Sequence, residues 1–164
     1  MLAQAQNLSN ELTYIFQWFD DELEVLTQFF NHINEYYEPN YCLAWNARFD
    51  LLTMMNRMLL KYGVDPVEIV CDKRFPENRR ICYFKKDIKH PKYSDRNDTF
   101  NVSSLISFQD AAQIFASLRK GLGERESYKL NDIAMEELGE GKLDYSEAGD
   151  LKSLIDLDFY KFIY

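Results

Sequence analysis

The stretch Leu43–Leu52, LAWNARFDLL, marks a change from strand to helix. Residues 41–45, YCLAW, form a short apolar run of strand length. The residues that follow show helical spacing up to Gly63, which supplies the stop. The positions expected to face inward are Leu51, Leu52, Met55, Met58, Leu59 and Tyr62. Because ligands of α/β proteins bind at the carboxyl ends of strands, Asn46 and Asp50 become candidate functional residues.

Upstream of this stretch the sequence predicts a strand followed by a helix. Residues 12–19, LTYIFQWF, are aromatic and β-branched, as is typical of a buried strand. From there to residue 37 the apolar residues follow a helical period, with Asp20 or Asp21 as the N-cap. Residues 1–10 are small and polar without periodicity, so we expect a frayed N-terminus.

Downstream, residues 65–98 differ in character from the rest of the chain. VEIV (67–70) and RICYF (80–84) predict the strands of a hairpin, followed by a charged loop, and we interpret 65–98 as an insertion on the core. TFNVSSLISF (99–108) predicts a further strand. Helices are expected at about 108–120, 129–138 and 150–164. This order predicts an α/β (or α+β) fold, with a mixed sheet and flanking helices, in one domain spanning 1–164.

The charge of the chain argues against nonspecific binding to nucleic acid through a basic surface. The net charge is −8, whereas such binding rests on a surplus of Lys and Arg. Nucleases that hold divalent metals with carboxylates are an exception, because they meet phosphates through the metal. Three cysteines without CxxC spacing and two distant histidines disfavour structural zinc. The sequence shows no leader and no long apolar run, so we expect a cytoplasmic protein that does not bind membranes.

Asp50 has two interpretations on position alone. An Asp in the first turn of a helix is stabilised by capping and by the helix dipole, and this is the commoner reason to find one there. A catalytic carboxylate is the alternative. Asn46 is likewise interpreted first as a turn or cap residue. The basic run from Lys85 to Arg96 is interpreted as a solvated loop, although it could contact a nucleic-acid strand.

Two segments resemble the exonuclease domain of family B DNA polymerases. Asn46-Ala-Arg-Phe49-Asp50 resembles the motif called Exo II, in which Asn is followed by two or three residues and then by Phe or Tyr and Asp. Residues 128–145, YKLNDIAMEELGEGKLDY, resemble the segment that precedes motif Exo III. The resemblance runs over about 11–164, and it is strongest to bacteriophage-type polymerases.

The resemblance implies an RNase H-like fold that proofreads DNA by 3′-to-5′ exonuclease activity on a single-stranded 3′ end. In that family four carboxylates bind two divalent metals, and Mg²⁺ or Mn²⁺ suits such oxygen ligands. Asp50 would be a catalytic metal ligand, and Asn46 would lie near the 3′ end. Phe49 would pack behind the site or against the terminal base. The location implied is the cytoplasm of a bacterial host.

The chain departs from the family pattern at the other two motifs. Exo I should supply Asp-x-Glu on the first strand, and Asp20-Asp21-Glu22 is interpreted instead as an N-cap cluster. Exo III is Tyr-x-x-x-Asp, for which Tyr164 is the candidate tyrosine. Tyr145 and Asp150 have a spacing one too long, so we expect a turn and a helix N-cap there. The chain is therefore expected to be a truncated exonuclease domain between Exo I and Exo III, inactive alone.

Two alternatives stay open. The chain could be a non-catalytic interaction module, the product of a split or decayed gene, which docks on the rest of a polymerase or on another replication partner through an aromatic surface. It could also be a small complete nuclease in which Asp20, Glu22 and Asp50 converge. For the truncated exonuclease domain, uncovered sheet edge and aromatic surface would favour self-association of the isolated chain.

Overall fold

A computed structural model describes residues 2–8, 11–17, 19–123 and 125–163. These residues form two compact units, which divide between residues 124 and 125. The mixture of helices and small sheets confirms the predicted α/β class. In the described ranges, no helix has the length and apolar composition needed to span a membrane. That 1–164 form a single partial exonuclease domain stays a prediction.

The first unit opens with an antiparallel hairpin. Strand β1 (Leu2–Leu8) pairs with β2 (Glu11–Gln17), in a register that sets Leu2 opposite Gln17. We predicted a frayed segment where β1 lies. The residues of β1 have modest strand propensity, but pairing with the aromatic and β-branched β2 satisfies their backbone groups.

Helix α1 (Glu22–His32) follows, and its N-cap is Asp21, whose carboxylate accepts a hydrogen bond from Leu23 N at 3.3 Å. A π-helical turn continues it over Ile33–Tyr37. Strand β3 (Tyr41–Ala44) and helix α2 (Ala47–Asn56) come next, as the opening stretch predicts. A second π-helical turn, Arg57–Lys61, continues α2.

The predicted inward face of α2 is only partly right. Leu51 and Met58 are buried, but Leu59 is 52% exposed. The reason is the π-helical turn, because bonds from residue i to i+5 change the phase at which side chains meet the core. The chain leaves this helix at Gly63, whose φ of 66° is a left-handed conformation that glycine adopts without strain.

The predicted strand at 67–70 is wrong, because this segment is helix α3 (Pro66–Val70). The Asp65 carboxylate caps α3 by accepting a hydrogen bond from Val67 N at 2.9 Å, and Pro66 occupies the first turn. A capping Asp followed by Pro at the first helical position is a strong start signal, and it overrides the strand propensity of Val and Ile.

The hairpin forms instead between β4 (Cys82–Lys85) and β5 (Thr99–Val102), which pair antiparallel. The predicted strand 99–108 is therefore two strands, because β6 (Ser107–Asp110) leaves β5 and pairs parallel to β3. Helix α4 (Ala111–Leu118) begins directly after β6. Around this parallel pair lies the core, made of Leu26, Phe30, Ala47, Leu51, Met58, Ile69, Val70, Ile106 and Phe108.

The second unit is helical in its described part. Helix α5 (Leu130–Leu138) ends at Gly139, and α6 (Leu151–Leu157) begins at the predicted N-cap Asp150, whose carboxylate accepts from Ser153 N at 2.7 Å. The predicted helix 150–164 is interrupted at Asp158, where extended backbone separates α6 from α7 (Phe159–Ile163).

Candidate active site

The candidate site lies at the carboxyl ends of the two parallel strands. In the β3–β6 register Ala44 pairs with Asp110, so both strands end at the same edge. From that edge β3 leads into α2 and β6 leads into α4. This confirms that the Asn46 to Asp50 motif lies where a strand is succeeded by a helix.

Asn46 makes the turn between β3 and α2. Its φ of 63° and ψ of 51° are left-handed, a conformation that Asn adopts more readily than most residues. The Asn46 carbonyl accepts from Phe49 N at 2.8 Å, so its backbone starts the helix. The side chain makes no capping hydrogen bond, and the residue is exposed. Asn46 is therefore the N-cap by the position of its backbone. Its side-chain amide does not take part in capping.

Asp50 is half-buried and is the acidic residue of the first turn of α2. Asn46 occupies the N-cap, so Asp50 is not the N-cap residue, but Asp50 does lie in the first turn of the helix as predicted. The helix dipole still favours a carboxylate in this turn. Asp50 thus places a carboxylate beside the edge at which β3 and β6 end.

Phe49 lies on the neighbouring face of α2 and is 66% exposed. Together with Asn46, Arg48, Leu52, Thr53 and Asn56 it lines a groove of about 350 Å³, called here the α2 groove. An exposed aromatic ring on such a groove can stack on an unpaired base.

Arg48 is a feature of the motif that sequence reasoning missed. Its guanidinium carbon lies 5.9 Å from the centre of the Phe84 ring on β4, a cation–π contact. In the described ranges Arg48 takes part in no ion pair, and it is exposed. The only signal in the sequence was a cation two residues before Asp50.

Asp110 is a second carboxylate at the same strand edge, also missed from the sequence. It is only 7% exposed, and it accepts hydrogen bonds from Ala112 N at 2.9 Å and Gln113 N at 3.2 Å. It is therefore the N-cap of α4. The signal that could have revealed it was an Asp directly before the helical run AAQIF.

Glu22 belongs to an ion-pair network rather than to this site. Its carboxylate accepts from Arg57 Nη2 at 2.9 Å and from Lys61 Nζ at 2.8 Å. The hydrogen bonds from Arg57 and Lys61 lower the pKa of Glu22 to about 2. These contacts connect α1 to the π-helical turn that follows α2.

The described residues do not by themselves fit a two-metal site. Across 2–8, 11–17, 19–123 and 125–163, no three His, Cys, Asp or Glu side chains come close enough to hold a metal ion. The small complete nuclease built on Asp20, Glu22 and Asp50 is therefore not supported. Tyr164, the candidate Exo III tyrosine, lies outside the described residues.

The charged loop between β4 and β5 is held by two carboxylates. Asp87 accepts hydrogen bonds from Lys89 N at 2.9 Å, Asn97 N at 3.1 Å and His90 Nδ1 at 2.7 Å. Asp98 accepts from Asp87 N at 2.7 Å. The loop is thereby closed at its base, and its lysines are exposed to solvent.

Comparison with known proteins supplies the family. No curated protein matches the chain. The model of the family described as DNA polymerase family B, exonuclease domain, matches residues 2–133. This match spans most of the chain and contains Asn46, Phe49 and Asp50, whereas Tyr164 lies beyond it. The chain belongs to the exonuclease domain family of family B DNA polymerases.

Proposed function

We propose that this chain is part of the proofreading 3′-to-5′ exonuclease domain of a phage-type family B DNA polymerase, which removes 3′-terminal nucleotides from single-stranded DNA. One observation carries the proposal. Asp50 lies in the first turn of α2, next to the strand edge at which β3 and β6 end, inside the segment that matches the family. In this family the remainder of the polymerase would be the partner of the chain.

The roles proposed for the site residues follow from their positions. Asp50 would be a ligand for Mg²⁺ or Mn²⁺, which prefer carboxylate oxygens. Asn46 would lie beside the DNA 3′ end, and the exposed ring of Phe49 would stack on the terminal base. Together with carboxylates from the remainder of a complete site, Asp50 would hold divalent metal, which would supply Lewis-acid chemistry for phosphodiester hydrolysis.

We infer that the chain alone is inactive. Asp50 is one carboxylate, and a two-metal site needs several; the described residues do not group three metal-binding side chains. No catalytic step is therefore assigned to the chain in isolation. We also propose a bacterial host cytoplasm as the location, since phage-type polymerases act there.

A metal titration followed by nuclear magnetic resonance tests the role of Asp50. Substoichiometric Mn²⁺ broadens amide signals near a bound ion even when the affinity is weak. We expect broadening at residues 46–53 in the wild-type chain and its loss in Asp50→Asn. Asp132→Asn is the matched control, because Asp132 is also the acidic residue in the first turn of a helix. Equal broadening in wild type and Asp50→Asn would overturn the assignment.

A nuclease assay tests the proposed inactivity. The purified chain with Mn²⁺ should leave a 5′-labelled single-stranded oligonucleotide intact. Hydrolysis that Asp50→Asn abolishes would reject the inactivity and retain Asp50 as a catalytic residue. Hydrolysis that survives Asp50→Asn would reject both proposals.

A further inference from the structure

We propose that Arg48 binds a backbone phosphate of the single-stranded DNA that occupies the α2 groove. This inference rests on the proposed function, since it names a residue that positions the same substrate. It assigns a role to a side chain within the motif that neither the position of Asp50 nor the ring of Phe49 explains.

The first argument is that the Arg48 guanidinium is available to bind a ligand. Arg48 is exposed and lines the α2 groove, and within the described residues no carboxylate neutralises it. The guanidinium lies over the face of Phe84, with 5.9 Å between the guanidinium carbon and the ring centre. A ring face orients a guanidinium while leaving its N–H donors available, because the contact uses the face of the cation.

The second argument is the charge of the chain as a whole. The net charge of −8 repels a phosphate backbone at long range. Binding a DNA strand in the groove then requires a local cation. Arg48 is the cation among the six side chains that line the groove, and guanidinium matches phosphate oxygens with two parallel hydrogen bonds.

Helix geometry indicates which phosphate Arg48 would reach. With 3.6 residues per turn, residues two apart are separated by about 200° around the axis. Arg48 and Asp50 therefore lie on opposite sides of Phe49 along the helix surface. If Asp50 faces the bond to be cleaved and Phe49 the terminal base, Arg48 holds a different phosphate, nearer the 5′ end of the strand. Arg48 is thus a positioning residue.

The salt dependence of DNA binding tests this assignment. Fluorescence anisotropy of labelled oligothymidylate of eight nucleotides is measured against the full chain, in EDTA, between 50 and 200 mM salt. For single strands, each phosphate neutralised contributes about 0.7 to the slope of log K against log salt. We expect Arg48→Gln to reduce that slope by about 0.7 and to weaken binding about tenfold at low salt.

Two further variants separate charge from geometry. Arg48→Lys keeps the positive charge, so the slope should stay at the wild-type value while affinity falls about threefold through loss of the paired hydrogen bonds. Phe84→Leu removes the ring that orients the guanidinium and should likewise weaken binding without changing the slope. A merely structural role for Arg48 would leave the slope unchanged in Arg48→Gln.

Arg119→Gln is the matched control. Its guanidinium carbon also lies over a phenylalanine ring, 5.3 Å from the centre of Phe115, at the far end of α4. This substitution removes the same charge at a position that does not line the α2 groove, so the slope for Arg119→Gln should equal that of the wild type. An equal reduction in Arg48→Gln and Arg119→Gln would mean that only total charge matters and would overturn the assignment.

The outcomes distinguish this inference from the proposed function. If the wild-type chain binds DNA and Arg48→Gln leaves the slope of log K against log salt unchanged, the phosphate contact of Arg48 is rejected. The proposed metal role of Asp50 is not affected by that result. Failure of the wild-type chain to bind the oligonucleotide would reject Arg48 as a DNA contact in this chain. Because the assay contains EDTA, a failed Mn²⁺ titration would reject Asp50 without affecting the result for Arg48.

Discussion

The buried side chain of Gln113 provides a sharp test of how the β4–β5 hairpin is attached to the core. Gln113 is 8% exposed and bonds Asp98 twice: its Oε1 accepts from Asp98 N at 3.1 Å, and its Nε2 donates to Asp98 Oδ2 at 2.9 Å. Asp98 in turn accepts from Asp87 N, which closes the loop. The change Gln113→Glu keeps the shape but replaces the donor with a carboxylate.

The expected cost follows from these two contacts. The variant loses a hydrogen bond to a charged group, worth about 1.5–3 kcal/mol, and sets two carboxylates in contact. At an effective dielectric constant of about 20, like charges 4 Å apart repel by about 4 kcal/mol, and partial exposure of Asp98 reduces that figure. We therefore expect the free energy of unfolding at pH 7 to fall by about 2–4 kcal/mol.

The sign of the pH dependence gives a second check. Two adjacent carboxyls share a proton more readily in the folded than in the unfolded chain, so one pKa of the pair is raised by folding. The destabilisation should therefore shrink as the pH falls and one carboxyl becomes protonated, and it should grow as the pH rises. Urea denaturation at pH 4.5 and pH 7 measures both values.

The matched control is Gln109→Glu, because the Gln109 amide donates a single hydrogen bond, to the Ser107 hydroxyl at 3.0 Å in an exposed setting. Its cost should stay below about 0.5 kcal/mol. The reasoning is refuted if Gln113→Glu costs no more than Gln109→Glu, or if its cost is greater at pH 4.5 than at pH 7.

Two further predictions concern stability. The first substitution is Glu22→Gln. In the wild type, the folded-state pKa of Glu22 is about 2, below its ordinary value of 4.5. The ion pairs of Glu22 with Arg57 and Lys61 therefore stabilise the fold above pH 4.5, and this stabilisation is lost as the pH falls toward 2. Because these groups are largely exposed, the cost at pH 7 should be only about 0.5–1 kcal/mol, and the two proteins should converge near pH 2 in thermal melts. For Asp110→Ala, loss of the α4 cap should cost about 1–2 kcal/mol in urea denaturation, and an unchanged midpoint would show that the cap is dispensable.

Local signals in the sequence were enough to find the strand-to-helix change at Asn46. The junction combines an apolar run of strand length with a helical period, and both patterns are set by neighbouring residues. For the same reason the sequence identified the N-cap Asp150 and narrowed the first N-cap to Asp20 or Asp21, since a cap bonds amides two or three residues away. Gly63 could be identified as a helix stop because its left-handed φ is a property of glycine itself.

Features that depend on distant contacts could not be predicted in this way. The π-helical turn at Arg57–Lys61 exposes Leu59. No residue type within the turn predicts a π-helical conformation. The sequence of α3 (Pro66–Val70) carries two opposing signals: Val and Ile favour a strand, whereas Asp65 as N-cap followed by Pro66 favours the start of a helix. The prediction followed the strand propensity, and the structure shows the helix. Arg48 could not be identified from its neighbours in the sequence, because its contact is with Phe84 on β4, 36 positions away.

The left-handed backbone of Asn46 changes how an alanine scan of this motif should be interpreted. At φ 63° an Ala residue carries a steric penalty of about 1–2 kcal/mol, whatever the function of the amide. Asn46→Ala therefore combines a conformational defect with the loss of the side chain, and it would exaggerate any functional effect. Asn46→Gly removes the amide while relieving the backbone, so the difference between the two variants separates strain from chemistry. The informative truncation at position 46 is glycine.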